Sequence, residues 1–154
     1  MELHTDRRKV LVALDSREEV AALQRILYGE DWRLQFAGAF PETEAALRAS
    51  PFGIVICSRR YQDGHGWKDL LQGIQGMSIP PQLIVADRLA DEALWAEVLN
   101  LGGYDLLMTP FEPEEVRRVV SMAWDSRERE LERAVPSSKL TKPADGGQQY
   151  AAVN

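Results

Sequence analysis

Short apolar runs alternate with amphipathic stretches from Lys9 to Trp124. The first run, Lys9 to Leu14, is apolar without interruption, the pattern of a strand buried on both faces of a parallel sheet. Asp15 and Ser16 follow and are placed to cap a helix over 17–28. In that segment Val20, Leu23, Ile26 and Leu27 recur at helical spacing, and Gly29 supplies the stop. The alternation repeats with an apolar stretch Leu34 to Phe40, a helix near Glu42 to Arg48, and a strand Ile54 to Cys57. A breaker-rich loop, Asp63-Gly64-His65-Gly66, leads into a short helix Trp67 to Ile74. Pro80-Pro81 introduces the strand Gln82 to Ala86. A helix Asp91 to Leu101 then carries Leu94, Val98 and Leu101 on one stripe, stops at Gly102-Gly103 and delivers the strand Tyr104 to Met108.

Five strands alternating with helices predict an α/β fold of three layers, because right-handed crossovers lay helices on both faces of a parallel sheet. The last helix is expected to start at Pro113, where proline costs no needed donor. Val116, Val119, Val120, Ala123 and Trp124 then face the sheet. One domain over 7–125 is expected, followed by a charged, exposed extension of the last helix over 126–135. Over 136–154 only Leu140, Tyr150 and Val153 are sizeable apolar residues, so a disordered tail is expected.

Composition narrows the function. The formal charge of -6 opposes a general affinity for nucleic-acid backbone, and the short basic clusters Arg7-Arg8-Lys9 and Arg59-Arg60 read as solvated strand and loop ends. A single cysteine, Cys57, excludes an internal disulfide and is expected to be buried. The polar start lacks the apolar core of a secretory signal, and no apolar run reaches the roughly 20 residues that span a bilayer. A cytoplasmic location with no membrane contact is the expectation.

The acid at Asp15 closing strand one, the loop Gln62-Asp63-Gly64-His65-Gly66 after strand three, and the run Gly102 to Pro113 with its Thr109-Pro110-Phe111 turn resemble the receiver domain of bacterial response regulators. The resemblance runs through almost all of Lys9 to Trp124. It implies a flavodoxin-like (βα)5 fold with strand order 2-1-3-4-5, and a functional crevice at the carboxyl ends of the strands, where open α/β sheets bind ligands. It also implies a phosphoryl site, made of an acid pair that holds Mg²⁺, an acceptor carboxylate, a hydroxyl and a lysine. Carried over position by position, the acid pair falls on Leu14 and Asp15, the acceptor on Ser58, the hydroxyl on Ala86 and the lysine on Thr109. Only Asp15 survives as a family metal ligand. The aromatic that turns inward on activation falls on Leu106, and the bond before Pro110 is expected to be cis.

The resemblance therefore implies a pseudo-receiver with no catalytic residue, no cofactor and no metal. A serine hydroxyl without a base to ionise it cannot replace an aspartyl nucleophile. The role expected is phosphorylation-independent binding of a signalling protein, or of a second copy, through the face of the fourth helix, fifth strand and fifth helix. Leu94, Trp95, Leu106, Met122 and Trp124 are its candidate residues. No output domain is expected after Ala134, so any effect must come from that binding. Arg59 or Arg60 paired with Asp15 is a candidate lock in place of the missing cation. Two other readings stand beside this one: a phosphorelay receiver with a non-standard acceptor, and a flavodoxin-like enzyme or small-ligand binder using the same crevice.

Overall fold

Residues 8–141 are described by the computed structural model of the protein. Its elements are β1 (Lys9–Ala13), α1 (Arg17–Leu27), β2 (Arg33–Phe36), α2 (Phe40–Ala49), β3 (Ile54–Ser58), α3 (Trp67–Gln75), β4 (Gln82–Asp87), α4 (Glu92–Leu101), β5 (Asp105–Met108) and α5 (Pro113–Thr141). The strands form one parallel sheet in the order β2-β1-β3-β4-β5. The expected flavodoxin-like architecture is the observed one.

The period-two direction of strand side chains divides the interior into two cores. Leu11, Val55, Leu83, Val85 and Leu106 point to the face covered by α2, α3 and α4. Val10, Val12, Ile54, Ile56, Ile84 and Leu107 point to the face covered by α1 and α5, where they meet Leu23, Val116, Val120 and Trp124. Strands β1, β3 and β4 have helices on both sides, which is why their sequences run apolar without alternation.

Boundaries move where side-chain chemistry, not periodicity, sets the end. Phe40, placed by pattern in the second strand, opens α2 with Pro41 in its first turn, and Glu42 accepts a hydrogen bond from the Gly38 amide at 2.9 Å. The buried Phe40 ring is therefore a helix-start residue. Ser16, not Asp15, caps α1, its hydroxyl accepting from the Glu19 amide at 3.3 Å.

The last helix corrects two expectations. The charged segment after Trp124 is not solvated all round. Arg127 is buried, and its guanidinium donates to the carbonyls of Pro80 (3.2 Å) and Ile79 (3.3 Å), while Gln82 donates to the Ser126 hydroxyl. The arginine stem packs as apolar surface and its head satisfies carbonyls at the start of β4, a role that charge patterning hides. The helix also continues past Pro136 to Thr141. Proline fixes φ at a helical value and removes one hydrogen bond without forbidding the turns that follow. Arg7, and the rest of the expected tail at 142–154, lie outside the described residues.

Among the described residues, no helix is long and apolar enough to cross a membrane.

Candidate functional site

The carboxyl ends of β1, β3, β4 and β5 open into a pocket of about 960 Å³, closed on one side by α1. All five positions of the implied phosphoryl site come to this sheet edge. Leu14 is buried in the core beneath α1. Asp15, Ser58, Ala86 and Thr109 line the pocket.

Ser58 ends β3 and is buried. Its hydroxyl accepts from the Asp15 backbone amide at 3.1 Å and donates to the Asp15 carboxylate at 3.2 Å. The two residues satisfy each other, the serine oxygen being held as acceptor of the Asp15 amide and donor to the Asp15 carboxylate. Ala86 is buried and brings no hydroxyl. Thr109 follows β5, its amide bonded to the Asp87 carbonyl at 3.1 Å, and the Thr109–Pro110 bond is cis as expected. Its Oγ1 is buried and hydrogen-bonded to no protein group.

The proposed arginine lock has a different partner. Arg59 pairs with Asp87 at 3.4 Å, and among the described residues neither Arg59 nor Arg60 pairs with Asp15. Geometry explains the choice. Arg59 follows β3 directly and β4 is the strand beside it, so Asp87 at the end of β4 lies within reach, while Asp15 is already bonded to Ser58.

Three acids in the pocket escaped the sequence reading, Glu18, Glu19 and Asp87. Asp87 had a usable signal, an acid placed right after an apolar strand at the edge where ligands bind. Glu18 and Glu19 had none, because an acid in the first turn of a helix is ordinary. Burial raises the Glu19 pKa above 4.5. The Asp15 and Asp87 charges add to the rise, and the nearby Thr109 hydroxyl and Arg88 oppose it. That hydroxyl lies close enough to favour the carboxylate yet falls short of hydrogen-bond geometry. An acid whose folded pKa is raised is fully compatible with folding only while protonated, so Glu19 erodes stability as pH rises from 4.5 through the folded value. Glu19→Gln is therefore expected to unfold at higher denaturant concentration than the parent at neutral pH, and at the same concentration below 4.5. Urea midpoints across that range test it.

The loop after β3 is built for close approach. A Cβ on Gly66 would stand 2.7 Å from the Arg59 carbonyl oxygen, which the Trp67 amide occupies at 3.1 Å. Tyr61 reaches from the same loop to the Ala13 carbonyl at 2.6 Å. His65 stacks on Phe40, with ring centroids 4.1 Å apart, and pairs with Asp63 at 3.0 Å. Cys57 is buried, and burial pushes its thiol pKa far up, so it is not a thiolate.

The five candidate face residues do not come together on the surface. Leu94 and Leu106 lie in the core under α2, α3 and α4. Trp124 lies in the opposite core, edge-on to Trp32 near the amino ends of the strands. Helical spacing alone does not tell an outward aromatic from an inward one. Trp95 (48% exposed) and Met122 (49%) are at the surface, and Met108 (58%) on β5 joins them as an exposed apolar residue of the same three elements. The Trp95 indole donates to Asp105 at 3.1 Å, tying α4 to the β5 edge.

No family model matches the sequence, and no curated protein matches it. Solved structures do match. The signal receiver domain of an HD domain-containing protein from Pseudomonas fluorescens Pf-5 is 22% identical, with a TM-score of 0.74 over 83% of this chain and 94% of its own. A CheY-like response regulator receiver domain protein from Methanospirillum hungatei JF-1 is 18% identical, with a TM-score of 0.70 over 80% of this chain and 98% of its own. The beryllofluoride-activated NtrC4 receiver domain dimer is 21% identical, with a TM-score of 0.71 over 78% of this chain and 98% of its own. At such identities the likeness is one of fold. The chain has the CheY-like receiver fold.

Proposed function

We propose that this chain is a receiver-type signalling module that works without phosphoryl transfer, by binding a protein partner or a second copy of itself. The observation that carries this reading is the reciprocal bonding of Ser58 and Asp15 at the position where the fold family keeps its acceptor carboxylate. The pocket adds no lysine and no strand-four hydroxyl, since Thr109 and Ala86 hold those positions. Among the described residues no three acids, histidines or cysteines converge closely enough to hold a metal ion. Charge developing on a phosphoryl group transferred to Ser58 would meet no lysine ammonium, and the guanidinium next to that serine, Arg59, is already paired with Asp87.

The binding surface is Trp95, Met108 and Met122 on α4, β5 and α5. β5 is an edge strand, so its outer side is open to a partner. A dimer among the structurally similar receivers supports self-association as one form of that binding.

Two measurements test the proposal. Incubation with acetyl phosphate and Mg²⁺ should leave the intact mass unchanged, and a gain of one phosphoryl group would favour the phosphorelay reading instead. Trp95→Ala combined with Met108→Ser should weaken self-association in sedimentation, or partner capture, by roughly tenfold or more, the scale of a lost aromatic anchor. Unchanged association in both assays would remove the face from the proposal.

A further inference from the structure

The sheet-edge pocket holds an arrangement of charge that a module without phosphoryl chemistry leaves unused. Asp15 is bonded to Ser58, and Asp87 is paired with Arg59. Glu19 is different. It is half-buried and, among the described residues, forms no ion pair. Beside it stands the Thr109 hydroxyl, in a residue only 4% exposed, with no hydrogen-bond partner. Buried hydroxyls in folded proteins are nearly always bonded, and one left alone at a pocket wall marks a place where an entering group would be bonded. Farther out, Arg60 and Arg88 are exposed at the mouth and also form no ion pair among the described residues.

The pocket thus presents a half-buried acid, Glu19, beside an unbonded buried hydroxyl, and an exposed rim where the guanidinium groups of Arg25, Arg60 and Arg88 outnumber the carboxylate of Glu18. A simple anion would meet Asp15, Glu18, Glu19 and Asp87. A divalent cation lacks three converging ligands among the described residues. A ligand carrying both charges matches both layers. We infer that the pocket binds a small zwitterion of the amino-acid class, its ammonium group donating to the Glu19 carboxylate and Thr109 Oγ1, and its carboxylate paired with Arg60 and Arg88. Guanidinium groups suit that carboxylate because their N–H forks match its two oxygens. A volume of about 960 Å³ lies within the roughly 300–1,000 Å³ of small-molecule sites, so the larger side chains also fit. This site is separate from the Trp95, Met108 and Met122 surface, and its failure would leave that reading intact.

Calorimetric titration of the full chain with the standard amino acids, each taken singly, tests the inference. At least one is expected to bind saturably. Its decarboxylated amine and its deaminated acid should each bind about tenfold more weakly or worse, since each lacks one charged contact. Thr109→Val and Glu19→Gln should each weaken binding by about tenfold without lowering the thermal midpoint of the free protein, a combination that a merely structural role would not produce. Arg60→Ala with Arg88→Ala should weaken the zwitterion without weakening the amine. The inference is overturned if no amino acid binds saturably, if the deaminated acid binds as well as its parent, or if binding is unchanged in both the Thr109 and Glu19 variants.

Discussion

Gly53→Ala is expected to lower the thermal midpoint by about 10 °C. A methyl group on Gly53 would stand 2.1 Å from Cζ3 and 2.7 Å from Cε3 of Trp124, well inside van der Waals contact. The indole has little room to move. It is 5% exposed, lies edge-on to Trp32 with centroids 5.8 Å apart, and the Arg8 guanidinium sits 4.0 Å over the Trp32 ring. Overpacking a closed site costs about 1–3 kcal/mol, and a rigid ring puts this one at the upper end. For a domain of this size each kcal/mol moves the midpoint by roughly 3–5 °C. Gly38→Ala is the control, because nothing lies within 4 Å of its added methyl. Trp124→Leu should relieve much of the Gly53→Ala penalty, since the two changes share one space. A Gly53→Ala midpoint no lower than that of Gly38→Ala would contradict this account of the packing.

Ser58→Asp is expected to destabilise the protein at neutral pH by about 1–3 kcal/mol, the cost of leaving a desolvated charged group badly paired. The serine hydroxyl donates to the Asp15 carboxylate at 3.2 Å, and an aspartate there would bring a second carboxylate to the same spot. It could still accept the Asp15 amide but could no longer donate. Like charges at that separation raise the pKa of one partner, so the loss should fade in acid as a proton is shared. The same pair creates a cation site the parent lacks. Saturating Mg²⁺ should then restore the variant and leave the parent unmoved, with about 2.7 kcal/mol regained at a hundred times Kd. Urea unfolding with and without Mg²⁺ checks both statements. A variant as stable as the parent at every pH, and indifferent to Mg²⁺, would show that the Ser58–Asp15 contact does not set the character of the pocket.

The same two residues separate what was legible in the sequence from what was not. That Ser58 and Asp15 stand at strand ends followed from apolar runs closing at polar residues, because a strand buried on both faces tolerates no polar interruption. That each satisfies the other did not follow. They are 43 positions apart, and only the parallel pairing of β1 with β3 brings them within hydrogen-bond distance. Arg59 makes the same point. Its sequence neighbours are silent about Asp87, which pairing of β3 with β4 puts next to it. Arg127 shows the limit of reading charge as exposure, since a long arginine stem packs like an apolar residue while its head bonds carbonyls.

By itself, the sequence determined the order of the elements and the parallel sheet. These depend on local pattern and spacing, which the chain carries along its length. Tertiary structure alone decided which of the aromatic and aliphatic candidates reach the surface. Trp95 and Met122 are outward, while Leu94, Leu106 and Trp124 are buried in two different cores. It also decided that Glu19, Thr109, Asp87 and Arg59 share one pocket. The physical reason is common to both. A side chain's partners at the end of a strand come from neighbouring strands and crossing helices, and those neighbours are set by packing across the sheet rather than by adjacency in the chain.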